Sequence, residues 1–169
     1  MLTHNEPQPP LSPVYIAAPY ASTDPAVRAW NVSRACLLAR VAAGSYTLAP
    51  VVVHPGIAQV YGEEETPLLR EIGMRVDLSL LHHVYGANGR LWVLLRDDGT
   101  MSDGVKLEVE HWVALDAAGP TAVPGSLSRS IRLWRWSDLD AEVQGLDLHA
   151  RWQRLAQAPE VRASPCRVY

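Results

Sequence analysis

The sequence predicts an α/β protein with an open, mostly parallel sheet of five strands and helices on both faces, of the flavodoxin or Rossmann-like kind. Short apolar runs alternate with longer segments whose apolar residues recur every three or four positions. Strands separated by helical segments of this length are joined by right-handed crossovers, and such crossovers make neighbouring strands parallel.

Five segments have the composition of strands. The run Leu91–Leu95 is apolar throughout, which is typical of a strand buried on both faces of a parallel sheet, so we expect it near the centre. Pro50 has no N–H for a central ladder and therefore indicates an edge strand or an early bend. The predicted strands cover residues 14–18, 46–53, 91–95, 121–123 and 131–136.

Four segments are predicted as helices. Asp24 is a favoured N-cap and Pro25 suits the first helical position, so the first helix begins there and extends to Gly44. Thr66 and Pro67 open the second helix in the same way, and it ends near Gly86. The other two helices are predicted over residues 103–118 and 147–157.

Composition limits the domain organisation and the partners. With 169 residues, of which 48% are hydrophobic, the chain suits one domain over residues 14–158, flanked by a Pro-rich arm (1–13) and a tail (159–169). The net charge of −3 argues against a nucleic-acid polymer as a partner. No apolar stretch approaches the roughly 20 residues of a membrane helix, so we expect no membrane partner.

The sequence favours a cytoplasmic protein without a cofactor or a metal. Cys36 and Cys166 have neither CxxC spacing nor further partners, which indicates free thiols in a reducing compartment, and residues 1–13 do not resemble a signal peptide. Neither GxGxxG nor GxxxxGK[ST] is present. His82 and His83 are adjacent on a predicted helix, so they point to different faces and form a poor metal pair.

The candidate site lies at the carboxyl ends of the first three strands, where open α/β sheets bind ligands. The loops that meet there contain Pro19–Ser22, His54 with Pro55, and Arg96–Gly104. In the last of these loops, a small-residue turn from Ser102 is followed by Glu108, about one turn into the next helix. This spacing aims the Glu108 carboxylate at the mouth of the sheet, whereas Glu110 projects to another side.

Several short motifs occur in an order that resembles the nucleoside 2-deoxyribosyltransferase superfamily, which includes a nucleotide N-glycosidase branch and uncharacterised phage and bacterial relatives. The resemblance covers residues 14–123. Its motifs are Tyr15-Ile-Ala-Ala-Pro-Tyr20, Asn31, Pro50 with His54, Asp77-Leu-Ser-Leu-Leu81, and Ser102-x-Gly104-x-x-x-Glu108.

The resemblance implies an enzyme that cleaves the N-glycosidic bond of a nucleoside or a nucleoside 5′-monophosphate. Glu108 falls on the glutamate that attacks the anomeric carbon and forms a glycosyl-enzyme, Asp77 on an aspartate near the base and the leaving group, and Tyr20 on an aromatic residue that stacks on base or sugar. A carboxylate suits this chemistry because the transition state resembles an oxocarbenium ion. The helix N-terminus favours the ionised form of Glu108.

The resemblance also implies how a 5′-phosphate is held. Serine at position 102 is typical of the nucleotide hydrolase branch, in which it contacts the phosphate, and the backbone N–H groups around Gly104 suit an anion. His54 is a candidate contact to phosphate or base. Arg28 and Arg96 could complete a phosphate site, because arginine makes bidentate phosphate contacts. Ser22 is a third candidate for the same site.

Each site residue also has a purely structural interpretation. Ser102 is a good helix cap, Tyr20 could pack beneath its loop, His54 could bond to backbone, and Asp77 and Glu108 could be solvated. Asp97 and Asp98 carry charge that opposes a phosphate unless it is balanced.

Two other functions stay open at this point. They are a non-catalytic nucleotide-binding module that keeps Ser102 and Gly104 without depending on Glu108, and an NAD glycohydrolase. The resemblance further implies a homodimer or a larger homo-oligomer, and the sequence specifies neither the base nor the sugar.

Overall fold

A computed structural model describes residues 10–45, 47–53, 66–118 and 131–145, with side chains described up to Asp140. Strands and helices alternate along these segments. The elements are β1 (Ser12–Ala17), α1 (Pro25–Ala43), β2 (Leu48–Val51), α2 (Pro67–Gly86), β3 (Arg90–Leu94), α3 (Asp103–Ala118), β4 (Ile131–Trp134) and α4 (Trp136–Gly145).

The described strands form one parallel sheet in the order β2-β1-β3-β4. Tyr15 in β1 is in register with Val51 on one side and with Leu91 on the other. The prediction of a parallel sheet with the 91–95 strand inside it is therefore confirmed. Within the described segments β2 lies at one edge, where the missing N–H of Pro50 breaks no central ladder.

The described sheet has four strands where the sequence predicted five. The predicted strand over 131–136 is present as β4, which ends two residues earlier, at Trp134. The predicted strand over 121–123 and the predicted helix over 147–157 lie outside the described residues. The sequence did not predict α4, which is separated from β4 by Arg135 alone. Asp138 accepts a hydrogen bond from the Arg135 backbone N–H at 3.3 Å.

The first two helices begin where the cap signals predicted. Asp24 accepts a hydrogen bond from the Ala26 N–H at 2.8 Å, and the Thr66 hydroxyl accepts from the Leu69 N–H at 3.3 Å. A proline follows each cap. Because these signals act through neighbouring backbone groups, they position the helix starts independently of the rest of the fold.

The sheet has a hydrophobic cluster on each face. Successive residues of β1 point to opposite sides, so Val14 and Ile16 face α1 and α4 while Tyr15 and Ala17 face α2 and α3. Leu38 and Leu139 come from helices on the first side, and Leu81, Val105 and Trp112 from helices on the second. In the part of the chain that the structure describes, none of the helices has both the length and the apolar character needed to cross a bilayer.

The strand order creates a crevice at the carboxyl ends of β1 and β3. The chain leaves β1 to form β2 on one side and later forms β3 on the other side of β1. The loops that follow β1 and β3 therefore run in opposite directions and separate, which leaves room for a ligand between them.

Candidate functional site

A cavity of about 250 Å³ occupies this crevice. Its lining comes from β1 and the loop after it, from one face of α1 and of α2, and from the start of α3. The lining includes these residues of the sequence motifs, among others: Tyr15, Tyr20, Asn31, Asp77, Ser102, Gly104 and Glu108. Residues far apart in the chain thus meet around one cavity.

Glu108 is held inside this cavity by a tyrosine. It lies in the second turn of α3 and is 7% exposed, whereas Glu110 is exposed on another side of the helix, as the spacing predicted. The Tyr15 hydroxyl donates a hydrogen bond to Glu108 Oε1 at 2.6 Å. Such a bond stabilises the carboxylate form and fixes the orientation of the group.

The environment of Tyr15 keeps its hydroxyl protonated. Burial raises the pKa of Tyr15 above its ordinary value, and the negative charges of Glu108 and Asp77 raise it further. A negative phenolate oxygen beside these two carboxyl groups is therefore strongly disfavoured. Tyr15 acts as a permanent hydrogen-bond donor to Glu108.

Asp77 is a second buried carboxyl group on the cavity wall. It is 1% exposed, so the alternative of a solvated aspartate late in the helix is wrong. Gly73, Asp77, Leu81 and Val84 follow one another at spacings of four and three along α2, and all four are buried. Asp77 is therefore on the inward face of α2. Together with Glu108 on α3, it gives the cavity two buried carboxyl groups.

Ser102 caps α3 and also borders the cavity. Its hydroxyl accepts a hydrogen bond from the Val105 N–H at 3.4 Å, and its carbonyl accepts from the Lys106 N–H at 2.9 Å. The structural and functional interpretations of Ser102 are therefore compatible. The first N–H groups of a helix have no partner within it, and Asp103 and Gly104, which carry them here, also line the cavity.

The loop after β1 brings Tyr20 to the cavity. The Asn31 side-chain amide donates to the Tyr20 carbonyl at 3.3 Å, which ties this loop to α1. Both residues belong to the motifs singled out in the sequence, and both line the cavity.

Ser22 and Arg28 lie outside the lining of this cavity. Ser22 Oγ accepts from the Asp24 N–H at 3.1 Å, and the Ser22 carbonyl accepts from Arg28 Nε and Nη2 at 3.3 and 3.0 Å. These two residues build the start of α1, and Ser22 borders a neighbouring cavity instead. His54 lies outside the described residues.

Two arginines line the cavity. Arg96 was a candidate from the sequence, whereas Arg70 was not. Arg70, Met74 and Asp77 lie at spacings of four and three on α2, so the helical period that includes Asp77 is the sequence signal that could have identified Arg70. The cavity therefore has both carboxyl groups and cationic side chains on its wall.

Neither Asp97 nor Asp98 lines this cavity, although both line the neighbouring one. Asp97 Oδ1 pairs with Arg34 Nη1 at 2.7 Å. Asp98 Oδ1 accepts from the Thr100 hydroxyl at 2.7 Å and from its N–H at 2.9 Å, and these bonds lower the pKa of Asp98. Arg34 therefore compensates the charge of Asp97, and neither carboxylate belongs to the wall of the cavity that contains Glu108.

The cavity is suited to acid–base or nucleophilic chemistry on a small polar ligand. It combines an oriented, buried carboxylate, a second carboxyl group, an aromatic side chain and a helix N-terminus. Within the described segments, no group of three or more histidine, cysteine or acidic side chains is arranged to hold a metal ion. The chain matches no protein-family model, no curated protein and no solved structure.

Proposed function

We propose that this protein cleaves the N-glycosidic bond of a nucleoside or nucleoside 5′-monophosphate through a covalent glycosyl-enzyme on Glu108. The buried Glu108 carboxylate, oriented by the Tyr15 hydroxyl in a cavity that Asp77 also lines, carries the proposal. The resemblance of the motifs to the nucleoside 2-deoxyribosyltransferase superfamily supports it. The strand order agrees with a flavodoxin-like arrangement of the whole domain.

The reaction has two steps. A Glu108 oxygen attacks C1′ of the sugar while the C1′–N bond breaks and its electron pair leaves with the base. Water, or the nitrogen of a second base, then attacks C1′, and the ester bond to Glu108 breaks. The first outcome is hydrolysis and the second is transfer of the sugar.

Asp77 is the proposed proton donor. A purine or pyrimidine leaves readily only when a proton reaches its ring, and a carboxyl group beside the cavity can supply it. In the second step the same group takes the proton that the attacking water loses. Two buried carboxyl groups in the roles of nucleophile and acid–base are the usual pair for glycosidic bond cleavage.

The start of α3 is the proposed anion site. Ser102, Gly104 and the helix dipole favour a phosphate at this end of the cavity, and Arg70 and Arg96 add positive charge on its wall. We assign the part of the site around Tyr20 to the base. By the same resemblance, we propose that the protein forms a homodimer or a larger homo-oligomer.

Release of free base tests the proposal. The protein is incubated with a panel of nucleosides, nucleoside monophosphates and NAD, and the products are separated by chromatography. Glu108→Ala should lower the rate of base release at least about a thousandfold, because it removes the nucleophile. Glu110→Ala is the matched control, since this exposed glutamate lies on the same helix and should leave the rate unchanged.

A nucleoside with fluorine at C2′ of an arabinose ring provides a second measurement. Fluorine destabilises the oxocarbenium-like transition states, so the glycosyl-enzyme should accumulate. The intact mass of the wild-type protein then rises by that of the fluorosugar, and the mass of Glu108→Ala does not. If no member of the panel releases free base, the proposed enzymatic activity is wrong and a nucleotide-binding module is favoured.

A further inference from the structure

A second cavity, of about 520 Å³, adjoins the one that contains Glu108. It lies between the start of α1 and the end of β3. Both cavities share four lining residues, namely Pro19, Ala21, Asn31 and Arg96. Because the same four residues line both volumes, the two cavities lie side by side, within the span of one extended ligand.

Trp30 presents an indole ring to this second cavity. The residue is 50% exposed, although tryptophan is usually among the most buried residues of a domain. Its ring packs on the Arg34 guanidinium, with 4.4 Å between the guanidinium carbon and the ring centroid, and lies 5.5 Å from the ring of Trp136. An exposed, rigidly held indole is a stacking surface for a planar heteroaromatic group.

Arg34 makes this surface rigid. Its guanidinium contacts both Trp30 and Trp136, at 3.8 Å from the centroid of the latter ring, and the residue is 8% exposed. Within the described residues, Arg34 Nε has no hydrogen-bond partner, while Nη1 is paired with Asp97. Contacts with both indole rings and the ion pair with Asp97 hold the guanidinium, and with it the Trp30 ring, in place.

The polar groups of the second cavity suit a nucleoside. The Asp97 side chain is 67% exposed, and a carboxylate is the usual acceptor for the hydroxyl groups of a ribose. Arg96 lines both cavities, so its cationic group suits an anionic linkage that crosses from one to the other. The order along the two cavities is therefore carboxylates at Glu108, a cation at Arg96, and an aromatic surface at Trp30.

We propose that the second cavity binds the distal nucleoside of a dinucleotide, in which two nucleosides are joined through 5′-phosphates. The distal base stacks on Trp30, the phosphates pass Arg96, and the scissile N-glycosidic bond lies at Glu108. This inference rests on the proposed function, and it narrows the substrate class from nucleotides in general to dinucleotides.

Calorimetric titration tests the second subsite separately from turnover. The full chain with Glu108→Gln, which should bind without cleaving, is titrated with NAD and diadenosine diphosphate and, for comparison, with AMP and nicotinamide mononucleotide. We expect each dinucleotide to bind about tenfold more tightly than the mononucleotides, which is the increment of one base stacked on an aromatic ring. Equal affinities overturn the proposal.

Substitutions on the wall of the second cavity test whether the preference for dinucleotides arises there. In the same background, Trp30→Ala should reduce the preference for the dinucleotides about tenfold, and Trp30→Phe should retain part of it. Val27→Trp fills the cavity from α1 without removing the Trp30 stack and should have the same effect as Trp30→Ala. Val113→Ala changes an exposed side chain on α3 that lines neither cavity and is the control. An unchanged preference in both Trp30→Ala and Val27→Trp contradicts the assignment.

The two proposals fail in different ways. If dinucleotides bind preferentially but the wild-type protein releases no base, the proposed subsite is supported and the proposed glycosidase activity is wrong. Release of base with equal kcat/KM from mononucleotides and dinucleotides retains the glycosidase and overturns the subsite.

Discussion

At the scale of single residues, the contact between Tyr15 and Glu108 links the fold to the proposed chemistry. Tyr15 belongs to the most buried part of β1, and its hydroxyl is the point at which this strand meets the carboxylate of α3. A buried carboxylate costs free energy unless it accepts hydrogen bonds. The tyrosine lowers this cost and also fixes the orientation of the group that we propose as the nucleophile.

We predict that Tyr15→Phe lowers the free energy of unfolding at pH 7 by about 1–3 kcal/mol, because the buried Glu108 carboxylate loses a donor. The effect should depend on pH. The pKa of Tyr15 is raised in the folded state, so its contribution to stability is complete below the ordinary pKa of 10.0 and decreases as pH rises above that value.

Urea unfolding at pH 7, 10 and 11 measures this effect. Above pH 10 the wild-type protein should lose up to about 1.4 kcal/mol per pH unit through Tyr15, a loss that Tyr15→Phe does not show. The difference between the two proteins therefore narrows with rising pH. A constant difference across this range would mean that Tyr15 ionises equally in the folded and unfolded states.

The residues of the site could be predicted to different extents. The helical period separated Glu108 from Glu110, since their directions follow from local geometry. It did not predict that Tyr15 donates to Glu108, because the two residues are 93 positions apart and meet only through the packing of α3 on the sheet. The pairing of Asp97 with Arg34 was missed for the same reason, at a separation of 63 positions.

At the scale of elements, the connection from α2 to β3 is built around a glycine. Asn88 has a φ of 59°, in the left-handed region, and Gly89 then passes close to its neighbours. A Cβ atom at position 89 would lie 2.6 Å from the Val84 carbonyl oxygen and 2.7 Å from the Pro13 carbonyl oxygen. Both contacts are with backbone atoms, which cannot move aside as a flexible side chain can.

Gly89→Ala should therefore lower the free energy of unfolding by about 3 kcal/mol, since α2 or β1 must shift to admit the methyl group. Thermal unfolding followed by circular dichroism measures the change. Gly86→Ala is the matched control, because a Cβ atom there meets nothing within 4 Å and alanine favours the helical conformation. A Gly89→Ala protein as stable as Gly86→Ala would show that the connection is adaptable.

Helix starts were predictable and α4 was not. The first two helices have a capping side chain and a proline, which are signals within a few residues of each start. The alternating pattern of residues 131–136 continued the predicted strand into the first residue of α4. A helix of only ten residues gains little stability from its own sequence, so its packing through Leu139 beside α1 decides its position.

At the scale of the whole molecule, the sheet separates two hydrophobic clusters. Leu38 on α1 belongs to one and Leu81 on α2 to the other, and both residues are fully buried. The strands contribute to both clusters through alternate residues. The two clusters therefore share the backbone of the strands, but the side chains that the helices contribute to them are different.

We predict that Leu38→Ala and Leu81→Ala each lower the free energy of unfolding by about 2–5 kcal/mol, the usual cost of a cavity in a packed core. In the double variant the two losses should add to within about 0.5 kcal/mol, because the sheet separates the substituted side chains. Chemical denaturation of the three variants and the wild-type protein measures the coupling. A coupling above about 1 kcal/mol would contradict this separation.

The sequence by itself determined the parallel α/β class, the starts of the first three helices and the direction of Glu108 toward the sheet. These features follow from periodicity and from caps, which act over a few residues. Only the tertiary structure decided the strand order, the meeting of Tyr15 with Glu108, the balancing of Asp97 by Arg34, and the second cavity beside Trp30. Each of these depends on contacts between segments distant in the chain, and local sequence patterns do not encode such contacts.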